Sequence, residues 1–272
     1  MALTAFQRDI CRALAERRRA GGDSYVAGGI ALNLALNAQR LSRDLDLFHD
    51  TTSAVSTAWD ADRVLLEGQG YLVNSERERP GFVQATVSRG DDRLLIEWTR
   101  DSAYRFFPLV EHEELGLALH PFDLATNKVL ALIGRLEVRD WIDVITCHQH
   151  LQPLAYLAWA ACGKDPGFSP PAIIEHARRS SRYSASDVAA LSFAGPPPDA
   201  GELSRSWHAA LESTGPIIAA LPANRVGEAV LTHDGNLFTG DVLALRQGLL
   251  TGAVIFHAGR VGGALPQIAR QP

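Results

Sequence analysis

The run RLSRDLDLF, residues 40–48, places two acids where a strand must bury its neighbours, and no other stretch limits the fold so tightly. Asp44, Leu45, Asp46 and Leu47 alternate with the two-residue period of a strand, so both carboxylates share one face while both leucines enter a core. At roughly 5 Å and an effective dielectric of about 20, the two charges repel by about 3 kcal/mol, a large part of a domain's net stability. Something must offset that repulsion. An amphipathic edge strand with its acids in water, close to Arg40 or Arg43, is one solution. A divalent cation is the other, because Mg²⁺ takes one or two protein carboxylates and completes its shell with water and phosphate oxygens.

The residues before this run bear on the choice. SYVAG, residues 24–28, reads as a short strand, Gly28-Gly29 as a turn, and IALNLALNAQR, residues 30–40, as a helix with Leu32, Ala35 and Leu36 at helical spacing. A glycine pair where a strand hands over to a helix lets backbone N–H groups approach an anion with no Cβ in the way, although it also serves as a tight turn. Ser42 can offer its hydroxyl to a phosphate or cap the turn. Further helices are expected over residues 4–20, ended by Gly21-Gly22, and over 56–68. YLVNSE (71–76), GFVQATVSR (81–89) and DRLLIEW (92–98) read as strands, the last two joined at Gly90-Asp91-Asp92. In the last of them Glu97 alternates with Ile96 and Trp98, so it can project from a neighbouring strand toward the aspartate pair; a salt-bridged or exposed edge residue is the plainer reading.

From Pro121 the pattern turns helical, through residues 122–150 and 154–161, then 171–180, 186–193 and 202–213, with AGPPPDAG at 194–201 as an exposed linker. EAVLTHDGNLF (228–238) resembles a hairpin around Asp234-Gly235, and AVIFHAGRVGG (253–263) a further strand. Lys128 and Arg135, seven residues apart, lie close to two helical turns from each other, so both cations face one way and can grip a triphosphate. Two surface cations are the alternative, but NKVLALIGR is apolar for a solvated helix. Asp140 and Asp143 follow on the next helix.

The bulk properties set limits. A net charge of −5 and a pI near 6.0 mean that any nucleic-acid contact must come from a local patch, such as ERRR at 16–19 or Arg178, Arg179 and Arg182. Cys11, Cys147 and Cys162 are odd in number and lack C-x-x-C spacing, which reads as buried thiols and not as a disulfide frame or a zinc site. His148 and His150 are two apart, wrong for one helix face, and His257 and Asp234 have core and turn explanations. No apolar run of about 18 residues is present, so no membrane partner is expected and a cytoplasmic location is.

Taken together, Gly28-Gly29, the helix after it, RLSRDLDLF, and His120 followed by PFDLATNKVLALIGRLEVRDWIDVI resemble the AbiEii/AbiGii-type nucleotidyltransferase toxin family, within the polymerase-β-like nucleotidyltransferases, over about residues 20–150. The resemblance implies an α+β fold with a nucleotidyltransferase core of mixed sheet and flanking helices over 1–120, and the helical pattern from Pro121 adds a mostly helical C-terminal domain over 121–272, expected to complete the active-site cleft, although the tail after about residue 150 matches no family motif. It implies Mg²⁺ on Asp44 and Asp46, to which the alternation of LLIEW adds Glu97 as a third metal and catalytic candidate, nucleotide binding by Gly28, Gly29, Ser42, Lys128 and Arg135, and Lys128 and Asp143 among the catalytic residues. Asp140 and Asp143 match its late acidic positions, to orient Lys128 or Arg135 or to act on the incoming hydroxyl. Gly-Gly stands where the wider superfamily often has Gly-Ser, so position 29 offers no hydroxyl. The implied reaction moves a nucleoside monophosphate from an NTP to tRNA 3′ ends, under control of a cognate antitoxin. An aminoglycoside-like acceptor, or a nucleotide-binding module without turnover, are the alternatives, and the acidic pI suits a cationic small molecule.

Overall fold

The computed structural model describes residues 3–22, 24–180 and 183–267. In chain order the elements are α1 (Ala5–Gly21), β1 (Ser24–Ala27), α2 (Gly28–Ala35), β2 (Asp44–His49), α3 (Thr52–Gly68), β3 (Leu72–Arg79), β4 (Phe82–Arg89), β5 (Asp92–Arg100), β6 (Tyr104–Arg105), β7 (Val110–His112) and β8 (Gly116–Ala118). Then come α4 (Pro121–Arg135), α5 (Val138–His150), α6 (Leu154–Lys164), α7 (Pro170–Ala177), α8 (Ala185–Ala189), α9 (Ala200–Ala220), β9 (Glu228–Thr232), α10 (Val242–Thr251), β10 (Val254–Ala258) and β11 (Arg260–Val261). The chain forms two units: Met1–Ala103 with Leu109–Leu124 and Ser192–Gly195, and Tyr104–Pro108 with Ala125–Leu191 and Pro196–Pro272.

The first unit is a seven-stranded mixed sheet in the order β3-β4-β5-β2-β1-β8-β7. β2 pairs parallel with β5 and antiparallel with β1, so the aspartate strand is central. That excludes the edge-strand explanation of its acids. One face is apolar: Leu45, Leu47, Val83, Ala85, Val87, Ile96 and Trp98 are buried beneath α1 and α3. Trp98 meets Trp59 edge-on at 4.8 Å, and its Nε1 donates to buried Asp62 at 2.9 Å. α1 begins with a capping box between Thr4 and Gln7 and stops at Gly22, whose φ of 73° suits glycine. α2 ends at Ala35, short of the residue 40 expected, because Asn37 turns into the left-handed region at φ 48° and the chain leaves as a loop.

The second unit is mostly helical. α6 is buried from Leu154 to Cys162, an all-round apolar helix that must lie inside a bundle, and α7 and α9 pack on it. Its core joins Tyr156, Trp159, Ile217, Leu221, Val230, Leu245 and Val254. α9 runs past the expected residue 213 to Ala220 and tolerates Pro216 in its last turns. α7 and α8 are shorter than their periodicity suggested. The turn at Asp234-Gly235 exists, with Thr232 N donating to Asn236 O and Phe238 N to Val230 O, but the local arm makes only a single antiparallel bridge, Leu231 to Leu237, and the longer ladder of β9 is with β10. Among the described residues no helix is long and apolar enough to cross a membrane.

Candidate active site

On the other face of the first unit's sheet, the alternation of β2 leaves Asp44 and Asp46 half-buried and aligned. The parallel register sets Asp46 directly beside Glu97 of β5, and strands about 4.8 Å apart make the two carboxylates lateral neighbours. One strand further, Gln84 of β4 stands opposite Glu97, and its Nε2 donates to Glu97 Oε1 at 2.8 Å. Gln84, Glu97 and Asp46 therefore form one row across three strands. The sequence placed Asp46 and Glu97 on one face, but nothing in it singled out Gln84, because the pairing of β4 with β5 is what brings the amide to the acid.

The glycine pair closes on this row. Gly28, at φ 63°, lies under Asp46: a Cβ there would stand 2.5 Å from Asp46 Cγ and overlap its carboxylate. A Cβ on Gly29 would stand 2.6 Å from Ser42 Oγ and 3.0 Å from Arg40 Nη2. Asp46 thus packs on Gly28 and Ser42 on Gly29, bringing residues up to eighteen positions apart to the start of α2. α2 has no side-chain cap at this end. The loop that carries Arg40 and Ser42 is held by a distant segment: Leu41 N donates to Ser192 O and Ala194 N to Gln39 O, both at 2.8 Å, and Arg43 reaches Ser192 Oγ. Asn33 Nδ2 fixes Arg40 O at 2.6 Å.

Asp46 and Glu97, registered neighbours on one sheet face beside a glycine that leaves the Asp46 carboxylate room, offer hard oxygen donors of the kind Mg²⁺ takes. Among the described residues no three His, Cys, Asp or Glu side chains converge as a ready-made metal cluster.

The second unit holds the other candidates in a compact ion cluster. Lys128 Nζ lies 3.0 Å from both Asp140 Oδ1 and Asp143 Oδ2. Arg135 clamps Asp140 with Nε at 2.6 Å and Nη2 at 2.9 Å. Seven-residue spacing on α4 and three-residue spacing on α5 bring the four together. Lys128 is 7% exposed, Asp143 2% and Asp140 fully buried. Burial pushes the Asp140 carboxyl up, but the Arg135 hydrogen bond and the Lys128 and Arg135 charges more than reverse it and hold it below the usual carboxylate range. Neighbouring Cys147 is buried, and burial raises its thiol.

Other candidates resolve differently. The ERRR run is consumed by the fold: Arg17 pairs with Asp62 at 3.1 Å, Arg18 is 2% exposed, and Arg19 caps the carbonyls of His112 and Glu113. Arg17 and Arg19 stay exposed while holding these partners. Arg178 and Arg179 are exposed, and Arg182 lies outside the described residues. All three cysteines are buried and free. His148 Nδ1 accepts from Leu154 N at 3.0 Å, a capping role, and His257 Nε2 sits 2.8 Å from Phe106 O in the core.

Two solved structures from Helicobacter pylori share the fold. A candidate nucleotidyltransferase superposes with a TM-score of 0.53 at 15% identity, covering 82% of this chain and 99% of that chain. JHP933 does so with a TM-score of 0.51 at 14% identity, covering 78% and 91%. No curated protein sequence matches. The likeness defines the fold class, an α+β protein of mixed sheet and helices. The family model of the nucleotidyl transferase AbiEii toxin, from type IV toxin–antitoxin systems, matches residues 12–165, and the chain belongs to that family. It is a nucleotidyltransferase, as its motifs implied. The matched span contains every candidate from Gly28 to Asp143, but not the segment at 192–195 that holds the Ser42 loop.

Proposed function

We propose that the enzyme transfers a nucleoside monophosphate from an NTP to an acceptor hydroxyl in a metal-dependent reaction, with Asp44 and Asp46 as the residues that would hold Mg²⁺ and Glu97 beside them. The observation that supports this best is the registered pair Asp46 and Glu97 with Gly28 seated against the Asp46 carboxylate. When bound, the ion supplies Lewis-acid polarisation of the α-phosphate. The chain's own residues do the rest. Gly28 and Gly29 let polyphosphate approach the start of α2, and Ser42 offers a hydroxyl there. The acceptor oxygen bonds to the α-phosphorus as the bond to the bridging oxygen of the β-phosphate breaks. Pyrophosphate leaves, and Glu97 either joins Asp46 in holding the ion, with the acceptor proton passing to water, or itself takes that proton.

For the acceptor we propose tRNA 3′ ends in the cytoplasm, with a cognate antitoxin as regulator; membership of a toxin family supports this reading. A net charge of −5 favours a second one, a cationic small acceptor such as an aminoglycoside. Incubation of the purified enzyme with each labelled NTP, Mg²⁺, and either total tRNA or an aminoglycoside panel separates them. Label in tRNA that is lost in Asp46→Asn is the expected result, and label confined to the small-molecule fraction rejects RNA as acceptor.

A further inference from the structure

Glu97 does not meet its neighbours alone. Its Oε1 accepts the Gln84 amide at 2.8 Å, and the two residues are direct cross-strand partners with both side chains half-buried on the acid face. Val83 and Ala85 on either side of Gln84 are buried in the opposite face, so the alternation of β4 leaves the amide no other direction. An amide is a particular choice at this point. A cation would neutralise Glu97, and an apolar side chain would leave it free to rotate; Gln84 removes one oxygen from rotation while leaving the carboxylate its charge. The other oxygen of Glu97 is then available along the row toward Asp46, its registered neighbour.

We infer that Gln84 is a positioning residue: by holding Glu97 Oε1 it presets the second oxygen for the divalent ion shared with Asp46. The inference rests on the metal reading of the preceding section. Partners that orient metal-binding carboxylates typically change metal affinity or activity by about 10–100-fold when removed, because the ligand must then be ordered at the moment of binding.

Mn²⁺ binding measured by calorimetry with a non-hydrolysable NTP analogue, and so without turnover, tests the inference. Gln84→Met keeps the length and removes the donor, and is expected to weaken Mn²⁺ binding by about tenfold. Gln84→Asn, one methylene too short to span the strands, is expected to do the same and serves if the methionine variant folds poorly. Thr86→Val, on the same face of β4, is the control and should bind as wild type. In turnover, the half-saturating metal concentration should rise by the same factor, with the KM for NTP at saturating metal unchanged and kcat restored by excess metal. If both Gln84 variants bind Mn²⁺ as wild type while Asp46→Asn does not bind, Gln84 is only a sheet residue and the inference fails alone. If Asp46→Asn and Glu97→Gln also bind as wild type, the metal reading itself is overturned, and the inference with it.

Discussion

The acid face of the sheet and the ion cluster of α4 and α5 use the same residue types to opposite ends. On the sheet, Asp44, Asp46 and Glu97 are half-buried, and the side chain bonded to Glu97 is a neutral amide. In the second unit, Asp140 and Asp143 are buried and matched by Lys128 and Arg135 at 2.6–3.0 Å. A carboxylate withdrawn from water must be neutralised where it sits, whereas one left partly in water can keep its charge for a ligand. Ligand chemistry is therefore expected to fail when the first group is altered, and folding when the second is.

The largest effect is expected at the sheet. Asp46→Asn should lower nucleotidyl transfer by about a thousandfold or more, the scale of losing one preorganised electrostatic group, with little change in denaturation midpoint. A large drop in stability with activity preserved would reverse the comparison. Asp140→Ala should do the opposite first: Lys128 is left buried with half its partners, and urea unfolding should show a loss of about 3–5 kcal/mol. Gly28→Ala sharpens the first half. The new Cβ meets Asp46, and the residue is held at φ 63°, so a loss of about 2–4 kcal/mol is expected together with reduced transfer. Gly90→Ala, at φ 60° with open space around it, should cost only about 1–2 kcal/mol and leave transfer intact.

The smallest expected effect is the pH dependence. Burial lowers His120 and His148 below 6.5, so each is neutral when folded and binds a proton more readily when unfolded. Their contribution is fully present above pH 6.5 and declines as pH falls from there toward the folded values. Asp140, held below 3.8, contributes above that value and loses its contribution only as pH falls through its lower folded pKa. Urea midpoints at pH 7.5, 5.5 and 3 should thus fall in two stages, and His148→Gln should flatten only the first. Asp140→Asn should flatten only the second.

Much of this was legible beforehand. Strict alternation in RLSRDLDLF and LLIEW placed Asp44 and Asp46 opposite Leu45 and Leu47, and Glu97 opposite Ile96 and Trp98, and the burial pattern of β2 and β5 follows it residue by residue. The seven-residue spacing of Lys128 and Arg135 put them on one side of α4, where both reach Asp140. The partners of the ERRR run were not legible, because charge alone does not say whether an arginine has one; Asp62, which takes Arg17, lies forty-five positions away.

From the chain alone came the features that depend on a residue and its near neighbours: the period of each strand and most helices, the glycines, and the family motif that names the chemistry. Register belonged to the folded molecule. Whether Glu97 lies beside Asp46, whether Gln84 reaches Glu97, and whether Ser192 holds the Ser42 loop depend on how whole apolar faces bury against one another. A slip of one residue would exchange the two faces of a strand, so only the collective burial of both sides selects the pairing.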